Sequence, residues 1–153
     1  MVPYIIPQLN DVLDGISTTL VDSKFVNHTI KGLSKTFINS MEGNGSLQNF
    51  DFIEPDVRNE ENSDAAAGII VNTMESGSIV NCNIDNGTLF NPNGAAGMVA
   101  GTMSGGMINN CTLSGFLIAK ETYRQIAGTI SGNCSFKDND TDAVIDGEDK
   151  QRP

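Results

Sequence analysis

An all-β parallel solenoid of about four to five coils, closed at its start by a short N-terminal cap helix, is the fold this sequence predicts. Three observations predict it: an internal repeat, glycine spacing that excludes helices, and short β-rich islands between the glycines. Ala67-Gly68-Ile69-Ile70, Ala96-Gly97-Met98-Val99 and Ala127-Gly128-Thr129-Ile130 follow one another at intervals of 29 and 31 residues. Ile79-Val80-Asn81-Cys82-Asn83-Ile84 and Ile108-Asn109-Asn110-Cys111-Thr112-Leu113 repeat at the same 29-residue offset. Leu47-Gln48-Asn49-Phe50-Asp51-Phe52 is an earlier copy and Asn133-Cys134-Ser135-Phe136 a truncated later one. Ser40-Met41, Thr73-Met74 and Thr102-Met103 form a further aligned series. Glycines such as Gly68, Gly77, Gly87, Gly97, Gly105 and Gly115 punctuate the unit, each costing about 1 kcal/mol in a helix interior. The islands between them are too short for stable hairpins. Strands of that length are satisfied by pairing each with its own copy in the next unit.

Taken in order, Tyr4 to Leu20 carries Leu9, Val12, Leu13 and Ile16 at the spacing of a short amphipathic helix. Residues 1–24 are therefore assigned to an N-terminal cap over an otherwise open strand edge. Residues 25–136 are the coils. Phe50, Cys82, Cys111 and Cys134 are expected to stack inward as one column, with Phe52, Ile84, Leu113 and Phe136 two residues later on the same face. Leu47, Ile79 and Ile108 form another column and Ile70, Val99 and Ile130 a third. Asn49, Asn81, Asn110 and Asn133 stand at a corner, because Asn tolerates left-handed backbone and hydrogen-bonds its own copy one coil away. The stretch from Asp56 to Asp64 interrupts the repeat and reads as an acidic surface loop, and residues 137–153 as an acidic tail.

The charge narrows the function. With 153 residues, 19 acidic against 9 basic side chains and a net charge of −10, the long-range field opposes a nucleic-acid duplex or an anionic membrane as partner. No apolar run approaches the roughly 18 residues of a membrane span, so no membrane insertion is expected. The start, Met1-Val2-Pro3-Tyr4-Ile5-Ile6-Pro7, lacks the basic region of a secretory signal.

Asn27-His28-Thr29-Ile30-Lys31-Gly32-Leu33, Gly43-Asn44-Gly45-Ser46-Leu47-Gln48-Asn49 and the Ala-Gly-x-[Ile/Val] and Gly-x-Ile-x-Asn-Cys units together resemble the GLUG-type repeat proteins. The resemblance covers roughly residues 25–136. It implies a right-handed parallel β-helix, a bacterial cell surface or secreted location, and an adhesin-like role in contact with a host or cell surface.

Chemistry in the sequence is sparse. Cys82, Cys111 and Cys134 are an odd number on one core column, where they act as small hydrophobes; their parallel side chains suit a disulfide poorly, and no CxxC pair suggests zinc. His28 is the only histidine and is expected on an early strand. Polysaccharide-cleaving enzymes need convergent carboxylates, and Glu75, Asp85 and Glu121 belong to different columns. No catalytic residues are assigned, and no cofactor is expected except a candidate calcium. Asp138, Asp140, Asp142, Asp146 and Asp149 fall at positions 1, 3, 5, 9 and 12 of a twelve-residue calcium loop. Ala143 stands where that loop wants glycine, and Asp149 is shorter than the usual Glu; an acidic solvated tail is the alternative. The sequons at Asn27, Asn44, Asn86, Asn110, Asn133 and Asn139 coincide in several cases with corner or core positions, where a glycan would prevent stacking. What remains is recognition. Flat side walls with rows of Asn, Ser and Thr suit binding of carbohydrate or protein, with a structural, assembly or effector role engaging a protein partner as the alternative.

Overall fold

The computed structural model describes residues 19–21, 24–59, 64–122 and 125–149. Among them there is no helix, and thirteen strands form one continuous sheet whose pairings are all parallel. The chain winds as a β-solenoid of about three turns, fewer than four to five. The reason lies at the ends, where the first and last strands supply only part of a coil. One corner shows the winding directly: the Phe37 N–H donates to the Ile69 carbonyl, Ile69 to Met98, and Met98 to Gln125, at 3.0, 3.2 and 2.8 Å.

On the first wall β1 (Thr19–Val21), β3 (Ile38–Glu42), β7 (Val71–Met74), β10 (Ala100–Asn109) and β12 (Ala127–Lys137) stack in order. Inward along it run Met41, Met74 and Met103, all fully buried, and outward run Ser40, Thr73, Thr102 and Thr129. Adjacent hydroxyls meet there, Thr129 Oγ1 lying 3.2 Å from Thr102 Oγ1. The second wall is β2 (Lys24–Lys31), β4 (Ser46–Ile53) and β8 (Ser78–Val80), continued by the later parts of β10 and β12. The third carries the end of β4, β5 (Asp56–Arg58), β9 (Asn83–Gly97), β11 (Thr112–Thr122) and β13 (Asp140–Asp149). The short β6 (Ala67–Gly68) pairs with the end of β9.

Alternation fills the interior. Leu47, Phe50 and Phe52 of β4 are fully buried, and Phe37 packs on both aromatic rings at 5.6 and 5.5 Å between centroids. Where the chain turns at Ala-Gly, the walls meet backbone to backbone. A Cβ on Gly68 would strike Val71 and Gly101, and one on Gly97 would strike Ala127, so glycine there is a packing requirement.

Several expectations are corrected by this register. Ala127-Gly128 does not lie over Ala96-Gly97 but over Ala100-Gly101. Ile130 consequently follows Met103, and Ile126 takes the place beside Val99 that Ile130 was expected to fill. The amphipathic helix expected over 4–20 falls outside the described residues, except that Thr19 and Leu20 belong to strand β1. Asp56–Arg58, expected in a loop, is a strand paired with Thr88–Phe90; residues 60–63 of that loop lie outside the described part. Asp140–Asp149, expected in a tail, is strand β13 paired with β11.

Candidate functional site

Two corners of the coil are set by residues in left-handed conformation. At the first, Asn27, Asn49, Asn81, Asn110 and Asp138 all have φ between 55 and 60°. Asn49 Nδ2 donates to Asn27 Oδ1 at 2.9 Å. Asn133, expected in this column, instead pairs with Gly105 on β10, and Asp138 occupies the corner. The neighbouring core column shifts with it. His28, Phe50, Cys82, Cys111 and Asn139 are successive copies of one position, whereas Cys134 pairs with Gly106 and Phe136 with Ile108. Asn139 completes the column by chemistry of its own: its amide accepts from the Cys111 N–H at 2.9 Å and donates to the Ile108 carbonyl at 2.8 Å.

The cysteines are free. Cys82 and Cys111 are buried beside one another, and the hydrogen bond from Cys111, with burial second, pushes the Cys82 thiol far above its ordinary value. Burial also raises the Cys134 thiol. A raised thiol does not suit a nucleophile, which needs the thiolate; the hydrogen bond with Cys82 lowers the Cys111 thiol, but that side chain is buried in the core. His28 lies in strand β2.

Asp140, Asp142 and Asp146 sit on an extended strand in register with Thr112, Ser114 and Ile118. A twelve-residue calcium loop must close on one ion, and a strand spreads the same residues along its length. Among the described residues no group of three or more His, Cys, Asp or Glu is gathered as a metal site.

The second left-handed corner is where polar side chains converge. Glu54 and Asn86 take φ of 51 and 54°, and Gly32 precedes them in the column at 65°. The Glu54 N–H donates to the Asp85 carbonyl at 2.8 Å, and the Asn86 N–H donates to Ser114 Oγ at 3.1 Å. A glutamate in this conformation carries local strain of order 1–3 kcal/mol, a feature that clusters at binding sites. Beside the corner lies an open groove of about 460 Å³, lined by Glu54, Pro55, Asp56, Asn86, Thr88 and Phe116, with Gly87 and Gly115 between them. Gly115, at φ 134°, approaches Gly87 so closely that a Cβ would overlap the Gly87 carbonyl. Bare backbone therefore forms that part of the groove. Register places Asp56, Thr88, Phe116 and Val144 in one outward column. Phe116 is 39% exposed, an aromatic ring displayed to solvent beside carboxylate and amide groups.

Next to it, Arg58 Nε lies 2.9 Å from Asp56 Oδ1, and the Arg58 guanidinium stands 5.8 Å from the centre of the Phe90 ring. Asn91, fully buried, fixes the adjoining loop: its Nδ2 donates to the Ala65 and Ala95 carbonyls at 3.0 and 2.8 Å, and its Oδ1 accepts from Asn59 at 2.8 Å.

Sequence reasoning missed Glu54, Asp56 and Phe116. The signals were the Glu54-Pro55 dipeptide, which marks a turn, and the even spacing that sets Phe116 opposite in facing to Leu117. No family model, no curated protein and no solved structure matches this chain.

Proposed function

We propose that the chain is a non-catalytic recognition module that binds a neutral carbohydrate in the groove around Phe116. One observation carries the reading: an exposed aromatic ring beside a groove of bare backbone, with Glu54, Asp56, Asn86 and Thr88 around it. An apolar ring face together with a few fixed polar groups is the usual composition of a small-ligand site. The two carboxylates, the amide oxygen and the hydroxyl are acceptors for sugar hydroxyls. The net charge of −10 disfavours sulfated or otherwise anionic glycans. Strands β5, β9 and β11 hold Asp56, Asn86, Thr88 and Phe116 without loop rearrangement.

The GLUG-like units, Asn27-His28-Thr29-Ile30-Lys31-Gly32-Leu33 among them, support placing this activity at a bacterial surface or in the secreted fraction, in an adhesin-like role. Binding is tested on an array of neutral and anionic glycans read for both retention and released product. Retention of neutral glycans without product is expected, and Phe116→Ala should weaken it at least about tenfold, the scale of a lost aromatic anchor, while melting temperature stays within about 2 °C because the ring is partly solvated. Retention unchanged in Phe116→Ala would exclude this groove. Released product would replace the binder with an enzyme.

A further inference from the structure

We infer that the two ends of the solenoid are complementary docking surfaces for a second copy of this chain, stacked head to tail. Among the described residues β2 pairs with no strand but β4 and β13 with none but β11, and the Ala143 N–H of β13 also donates to Gln125 Oε1 at 2.9 Å. Each therefore presents, among the described residues, one edge without a strand partner, of the kind another strand completes. The register columns say which strand fits. Asn27 begins the left-handed corner column and Asp138 ends it, with φ of 60 and 57°. Phe25 begins the column that Phe136 ends. Thr19 begins the register column that Thr129 ends. Strands β1 and β2 of a second copy, laid on β12 and β13, therefore continue each column with a residue of the same class.

Charge selects this arrangement over the two symmetric ones. Strand β2 carries Lys24 and Lys31 and no acidic residue, whereas Asp140, Asp142, Asp146, Glu148 and Asp149 fall on β13. Two C-terminal ends, or two N-terminal ends, would meet with like charge. In the head-to-tail register Lys31 of one copy stands at the position next to Asp142 of the other, since Lys31 lies at the Ile53 and Asp85 position and Asp142 pairs with Ser114 one coil further on. The last coil also leaves its core incomplete. Ile130, Cys134, Phe136, Ala143 and Ile145 are only partly buried against the core. The contact is heterologous, so it propagates as an open stack unless the rotation between copies closes it.

Sedimentation of the full chain over a wide concentration range tests the stacking. The native protein is expected to self-associate with increasing concentration. Lys31→Asp and Asp142→Lys change exposed residues, so each variant should keep its β circular dichroism. Each should also associate at least about tenfold more weakly, because like charges then face one another across the contact. An equimolar mixture of the two variants restores association, since the aspartate introduced in one then meets the lysine introduced in the other. A native protein that remains monomeric throughout would overturn the inference, as would association insensitive to both substitutions or a mixture that fails to recover it. The inference is independent of the glycan groove, whose Phe116→Ala variant should stack like the native chain.

Discussion

Asn81 holds φ at 55° on an exposed corner, and that single torsion is what its column keeps from coil to coil. An L-residue without a short polar side chain pays about 1–2 kcal/mol there. Asn81→Leu is therefore expected to lower the melting temperature by several degrees, and Asn81→Gly by less, with calorimetry as the measurement. Equal losses would show that the amide matters more than the torsion. The same logic explains why Asp138 replaces the expected Asn133. Asn, Asp and Gly all tolerate the left-handed region, so searching for asparagine alone finds the middle of the column and misses its acidic end. The thiols give a residue-scale prediction in pH. Burial holds the folded Cys134 thiol above its ordinary value of 9.0, so the unfolded state loses its proton first as pH rises. With fewer protons bound when unfolded, stability falls with rising pH. The decline should set in near pH 9 in chemical denaturation curves, and Cys134→Ala, compared with native protein over pH 7–10, should flatten it. A variant with an equally steep decline would assign it elsewhere.

At the scale of the element, two glycines separate space from torsion. Gly97 has ordinary φ but would drive a Cβ into the Ala127 backbone, while Gly32, at φ 65°, has nothing within 4 Å of the added carbon. Gly97→Ala should cost about 2–3 kcal/mol by overpacking and Gly32→Ala about 1 kcal/mol by strain. Thermal melts should therefore rank Gly97→Ala well below Gly32→Ala; the reverse order would mean the walls yield easily at Ala-Gly. Legibility divides along the same line. The strand-rich unit and the columns Leu47, Ile79, Ile108 and Phe52, Ile84, Leu113 can be read directly, because inward alternation and in-register stacking leave a repeated apolar pattern. The last coil misleads because Ala96-Gly97 and Ala100-Gly101 are alternative matches for Ala127-Gly128, four residues apart. A slip of four keeps every side chain on its own face, so hydrophobic pattern alone does not choose between them. The irregularity between Met103 and Gly105 then adds a further shift within β12, ahead of β13. The groove is least legible, since Glu54, Asp56, Asn86 and Phe116 come from three successive coils and no short window of sequence contains them.

For the whole molecule, the uneven distribution of charge matters more than its total. Five of the 19 acidic side chains fall on β13, a strand that reads as a tail until its pairing with β11 is seen. Sequence also overstates the coils, because it counts the strands at each end as full turns. Every ladder joins residues roughly one coil apart in the chain, as in Thr19 with Ser40 or Ile38 with Val71. Among the described residues, no strand of this sheet meets a partner nearby in the chain. During synthesis, the first rung of the sheet therefore cannot close until β3 has left the ribosome, and each later coil must be made whole before its strands have somewhere to dock. Chains held together by such distant pairings fold slowly. The growing end of the nascent protein is thus an unfinished edge at every stage, and the completed coils beneath it serve as the template on which the next is laid.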